Sequence, residues 1–187
     1  DLLIAASVGE GDVYLKSVTV EGRTIVRGGG ENSVHLTDTV LVTIVMDKKT
    51  GTVRLVAEGK TVIREVEIRS PSIVQASEIE EGGGILAVKL TQQLPENSKV
   101  ELLGAFENVS IASKTVRISI PEGSIGSLQV ERGAEGVRLE LSQEAAIVEM
   151  ILDAAVKVLG AGEVGKAVVN AVGVEFEKAP EAIEVGD

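Results

Sequence analysis

VLGAGEVGKAVVNAVG, residues 158–173, is the stretch on which the fold turns. Gly160, Gly162 and Gly165 are spaced G-x-G-x-x-G, and Val156-Lys157-Val158-Leu159 leads into them. Two local readings compete. Either a buried strand enters a glycine turn that opens a helix, or one helix stops at Gly160 and another starts near Glu163. The upstream residues favour the second. Ser142 is a good N-cap, and Glu144 puts negative charge in the first turn. Ile147, Val148, Ile151, Leu152, Ala155, Val156 and Leu159 fall at helical spacing. Glu149, Asp153 and Lys157 sit four apart as a narrow polar stripe, with Asp153 and Lys157 placed to pair. The apolar arc is wider than one sheet face requires. These signals predict a helix ending at Gly160 and a second from Glu163 to Val172, stopped by Gly173. Together they make an αα-hairpin over 142–173.

The same glycine spacing is that of the dinucleotide-binding fingerprint. Read that way, Gly160, Gly162 and Gly165 would hold the pyrophosphate at a helix N-terminus. The acid expected about 20 residues further on could only be Glu175 or Glu177, which come too soon. Only 22 residues follow Gly165, too few for the rest of a βαβαβ half. A nucleotide-binding enzyme or sensor is therefore the alternative reading, and no cofactor is expected.

Composition narrows the function classes. The 187 residues are 44% hydrophobic, enough for a sizeable core. That core is aliphatic: 29 Val and 15 Ile against Phe106, Phe176, Tyr14 and no Trp. β-Branched side chains favour strands. Single-stranded nucleic acid is held by stacking on aromatic rings, and all nucleic acid by positive charge. Three aromatics and a net charge of −11 argue against a nucleic-acid partner, and the shortage of rings disfavours sugar-stacking platforms. Without Cys there is no disulfide or thiolate chemistry. One His and six Asp leave no metal-ligand pattern, so no metal site and no catalytic residues are assigned. Nine Asn plus Gln, with Glu and Lys supplying most charge, lean towards a thermophile. No uncharged apolar run reaches the ~18 residues of a transmembrane span. A chain beginning at Asp1 is read as a product of processing, which puts the expected location outside the cell or on its surface after removal of an N-terminal signal.

From Val13 to Leu141 strand follows strand. Val40–Met46, Val53–Ala57, Val62–Ile68, Ile85–Leu90, Val100–Leu103, Val109–Ile111, Val116–Ile120 and Val137–Leu141 carry the apolar runs. Turn signals separate them, among them Asp47–Gly51, Glu58-Gly59-Lys60, Ser70-Pro71-Ser72 and Gly133–Gly136. The short, regular spacing predicts an antiparallel β-sandwich, jelly-roll-like, of roughly eight to twelve strands. A β-solenoid over 107–141 is weighed and set aside, because no fixed period runs through the whole chain.

Other constellations are weaker. Gly28-Gly29-Gly30 and Gly82-Gly83-Gly84 lack the Lys-Ser/Thr ending of a P-loop and read as hairpin loops, the alternative being an anion nest. Ser33, His35 and Asp38 are close in sequence, but Asp38 falls on the opposite strand face. Glu78, Glu80 and Glu81 read as a solvated rim. Asn108-Val109-Ser110 is a glycosylation sequon, one match in a long chain.

The expected organisation is an apolar segment at 1–12, a sandwich at 13–141, a helical hairpin at 142–173 and an acidic tail at 174–187. The expected function is structural and non-enzymatic: a self-assembling subunit of a surface filament, pilus or coat, whose partner is itself. Association would use Leu2, Leu3, Ile4 and Val8 as an added strand. Ile147, Ile151 and Leu152 of the first helix would supply further apolar surface. A non-enzymatic adaptor or ligand-binding module is the third reading.

Overall fold

The computed structural model describes residues 1–186. The chain winds into a parallel β-solenoid of about eight turns. Strand β1 (Leu2–Ile4) comes first. Four coils of two strands follow: β2 (Tyr14–Lys16) with β3 (Thr19–Val26), β4 (His35–Thr37) with β5 (Val40–Met46), β6 (Val53–Gly59) with β7 (Val62–Ile68), and β8 (Ser72–Ile79) with β9 (Gly84–Leu90). The next three coils are each a single long strand bent at the corner: β10 (Lys99–Ile111), β11 (Arg117–Val130) and β12 (Val137–Leu152). Two short-stranded coils close the stack, β13 (Val156–Gly160) with β14 (Glu163–Val169) and β15 (Glu175–Phe176) with β16 (Ala182–Val185). The strands align in two columns, which β10, β11 and β12 join by belonging to both.

Parallel stacking in register places like residues over like. Val26, Met46, Ile68, Leu90, Ile111, Val130 and Leu152 form one such ladder, fully buried on seven successive coils. Leu41, Ile63, Ile85, Phe106, Ile125, Ile147 and Val164 form another. Each rung removes one apolar side chain from water, about 1.5–3 kcal/mol apiece before the entropy of ordering the chain. A coil this narrow is filled by Val, Ile and Leu, which accounts for the near absence of aromatics.

The corners need polar closure, because backbone groups leave the ladder there. Thr61 Oγ1 accepts from Thr39 N at 3.2 Å and donates to Leu36 O at 3.1 Å. Thr39 Oγ1 repeats this one coil earlier, accepting from Val18 N and donating to Leu15 O. On the connecting side, Ser70 Oγ accepts from Lys48 N and donates to Met46 O. The buried Lys48 ammonium joins three consecutive loops, reaching Glu10 Oε1 at 2.7 Å, Gly29 O at 2.7 Å and Thr52 O at 3.5 Å.

The antiparallel β-sandwich is therefore corrected: every strand pair is parallel. The αα-hairpin is corrected too. Residues 142–173 contain the second half of β12, then β13 and β14, and no α-helix. From Ser142 to Leu159 the buried residues are Ala145, Ile147, Met150, Leu152, Ala154, Val156 and Val158. That is strand alternation with one three-residue step, from Ile147 to Met150, which imitates helical spacing. The predicted Asp153–Lys157 pair is absent. Lys157 instead bonds Glu175 at 3.0 Å on the following coil.

The donated strand is corrected likewise. Leu2, Leu3 and Ile4 pair in parallel with Thr24, Ile25 and Val26 of the same chain. Ile4 is buried, while Leu3 and Val8 remain exposed. Ile147 and Leu152 lie in the core and Ile151 is half-buried, so neither Ile147 nor Leu152 is open to a partner. The acidic segment from Val174 onward supplies β15 and β16; Asp187 lies outside the described residues.

Candidate functional site

Stacked coils turn single exposed residues into rows. The outward positions of the first column give three. The first begins with Tyr14 over His35, whose rings stack with centroids 4.8 Å apart and planes 9° from parallel. Tyr14 is 69% exposed, and His35 Nε2 donates to Asn32 O at 2.7 Å. The second row runs Arg54, Ile73, Glu101, Ser119, Glu140, Leu159. Arg54 is held in place by Glu31 O at 2.8 Å and Gln75 Oε1 at 2.7 Å.

The third row is basic. Lys99, Arg117, Arg138 and Lys157 stand in direct register on four successive coils. All four are exposed, and the next residue of each strand (Val100, Ile118, Leu139 or Val158) points into the core. Among the described residues Lys157 alone of the four has an ion pair. Beside the first two cations lies a groove of about 330 Å³, lined by Thr52, Ile73, Lys99, Glu101, Arg117 and Glu140 among others.

The second column treats charge differently. There Lys89 meets Glu65 at 2.6 Å, Lys166 meets Glu184 at 2.8 Å, and Arg23 meets Glu67 at 3.1 Å. The hydrogen bond and charge of Glu65 raise the Lys89 ammonium above its ordinary value. Lys166 is raised and Glu184 lowered through their mutual hydrogen bond and attraction. At the edge of the connecting side, Asp153 accepts from Asn170 Nδ2 at 2.7 Å and from Gln129 Nε2 at 2.9 Å. Those two bonds hold its carboxyl below the usual range.

The residues singled out from sequence are placed as follows. Gly160 ends β13, Gly162 lies in the corner, Gly165 lies within β14, and no helix follows them. A Cβ on Gly160, at φ +94°, would collide with the Leu141 carbonyl; on Gly162 it would lie 2.6 Å from Leu141 Cβ, and on Gly165 2.8 Å from Val148 O. These glycines let one coil sit against the backbone of the coil below. The Gly160 N–H, which a phosphate would need, already donates to Glu177 Oε2 at 2.8 Å. Gly28, Gly29 and Gly30 are buried under residues 5–10, where a Cβ on Gly28 would meet the Ala5 carbonyl. They form neither an open hairpin loop nor an open nest. Ser33, His35 and Asp38 are not brought together: Ser33 Oγ accepts from Val13 N, and Asp38 Oδ1 accepts from Lys60 N. Asn108 is exposed on β10.

Sequence reasoning missed the basic row. Its signal is a cation followed by a branched aliphatic at the start of four strands: Lys99-Val100, Arg117-Ile118, Arg138-Leu139 and Lys157-Val158. The intervals between them are unequal, which hides the repeat.

Among the described residues no helix is long and apolar enough to cross a membrane. No family model and no curated protein matches the sequence. The chain is similar to a solved structure of the chitinase ChiW from Paenibacillus sp. str. FPU-7, a bacterial cell-surface-expressed multi-modular enzyme machinery. The likeness has a TM-score of 0.78 at 32% identity and covers 82% of this chain. It covers 14% of that chain, so the solenoid corresponds to a small part of the larger protein.

Proposed function

We propose that this chain is a non-catalytic structural module of a larger cell-surface protein, a stiff spacer whose outer rows can carry a binding surface. The observation that supports this most is the likeness over 82% of the chain to a 14% portion of a multi-modular surface enzyme. The fold suits the role. Strands stack about 4.8 Å apart, so eight turns give a rod about 40 Å long. Buried ladders run through neighbouring coils and resist bending.

The experiment is to express residues 1–187 alone and assay hydrolysis of soluble chitin oligomers, alongside urea unfolding. The expected result is a cooperatively folded protein with no turnover. Measurable hydrolysis that disappears in Glu101→Gln or Glu140→Gln would overturn the non-catalytic reading. Protease treatment of intact cells of the source organism tests location, with release of peptides from this chain expected. Peptides seen only after lysis would overturn the surface assignment.

A further inference from the structure

We infer that the row Lys99–Arg117–Arg138–Lys157 is a binding site for a linear glycan carrying carboxylate groups, laid along the solenoid axis. Like charges directly opposite on neighbouring strands are destabilising. The protein avoids that cost on the second column, where Lys89, Lys166 and Arg23 each meet a carboxylate across the rungs. On the first column it stacks four cations in register, in a chain of net charge −11 with acids to spare. Lys99, Arg117 and Arg138 make no ion pair among the described residues, and only Lys157, at the end of the row, meets a carboxylate. Cations about 4.8 Å apart are matched by a polymer with one anion per repeat of similar length.

The neighbouring row selects the polymer. Glu101, Ser119 and Glu140 run beside the cations and, with Lys99 and Arg117, line the groove. Ionised carboxylates accept hydrogen bonds and donate none. A polyphosphate chain or a nucleic acid backbone offers this row mainly negative charge and is repelled. A polyuronate places carboxylates on the arginines and lysines, where guanidinium makes bidentate contacts. Its ring hydroxyls then donate to Glu101, Ser119 and Glu140. Two rows of opposite character thus match the two kinds of group on an acidic sugar.

The test titrates the full chain with polygalacturonate, its fully methyl-esterified form and inorganic polyphosphate, by calorimetry at low and at physiological salt. Polygalacturonate should bind, weaken as salt rises, and be preferred to both other polymers. The variant Lys99→Gln/Arg117→Gln/Arg138→Gln should lose at least about tenfold in affinity, since each lost cation removes one contact with a screened polyanion. A control with the same net charge, Lys16→Gln/Lys49→Gln/Lys60→Gln, removes exposed cations elsewhere and should stay within about twofold. Thermal unfolding of both variants reads folding separately, and relief of repulsion should leave the ladder variant at least as stable as the parent. Equal losses in the two variants, equal binding of the methyl ester, tighter binding of polyphosphate, or no binding of polygalacturonate would each overturn the assignment. None of these outcomes bears on whether the chain is catalytic or where it resides.

Discussion

The corners of the first coils and those of the middle coils solve one problem in two ways. From β2 to β9 the chain breaks between the columns, and Ser17 and Asp38 turn it with φ values of 54° and 52°. Buried hydroxyls of Thr39 and Thr61 then collect the backbone groups left over. From β10 to β12 the strand runs through the corner unbroken. Gly104 and Gly123, at φ 100° and 103°, stack directly on one another and replace the hydroxyls with close backbone contact. The first solution depends on side-chain hydrogen bonds, the second on the lack of a side chain. They should fail by different amounts and for different reasons.

The largest effect is expected where no space exists. In Gly123→Ala the new Cβ would run into the Gly104 carbonyl, at a φ that L-residues rarely adopt. Strain and overpacking together should cost about 3 kcal/mol or more, read from the urea midpoint. Gly82→Ala sharpens the comparison. Gly82 also has a positive φ, +85°, but its Cβ would meet nothing within 4 Å. Only the backbone term remains there, about 1 kcal/mol. Equal losses at the two sites would show that close stacking of the middle corners contributes nothing.

Thr61→Val breaks the other solution at constant volume. It leaves Thr39 N without its acceptor and Leu36 O without its donor, both in the buried interior. A loss of about 2 kcal/mol follows from burying unpaired polar groups. Thr61→Ser keeps the hydroxyl and should recover most of it. If Thr61→Val unfolds at the parental urea midpoint, the hydroxyl ladder is incidental to the fold.

These two corners also explain what was legible in the sequence. Strand alternation at Val40–Met46, Val62–Ile68 and Ile85–Leu90 was plain, and those elements lie where period-2 reading places them. Their direction was not, because a tight solenoid corner and a hairpin turn use the same Gly, Asp and Ser signals. Nor was the repeat. Val66 pairs with Val88, but Val109 pairs with Leu128 and Met150 with Ala167, so the coil length drifts as loops lengthen and shorten. At 142–159 the bend of β12 shifts the alternation between Ile147 and Met150, and a helical pattern results by coincidence of spacing. The basic row was hidden by the same drift, since a row exists only once the register is known.

The smallest effect concerns the C-terminal coils, where Gln129, Asp153 and Asn170 tie three coils together on the connecting side. The hydrogen bonds from Asn170 and Gln129 lower the folded-state pKa of Asp153. Its ionised form is therefore favoured by folding. That stability is fully present above the unfolded value of about 3.9 and is lost as pH falls through the lower folded value. Asp153 is partly exposed, so the contribution should be modest, about 1 kcal/mol at neutral pH. Asp153→Ala should unfold at lower urea than the parent at pH 7. The gap should narrow as the pH falls from about 4 through the lower folded value of Asp153, below which both proteins carry no charge at this position. A gap constant from pH 7 to pH 2 would assign the loss to packing at the coil edge and not to the carboxylate. Because the N-terminal corners rest on hydroxyls that do not titrate in this range, the Thr61→Val loss should show no such dependence. The two variants together separate the pH-sensitive end of the solenoid from the insensitive one.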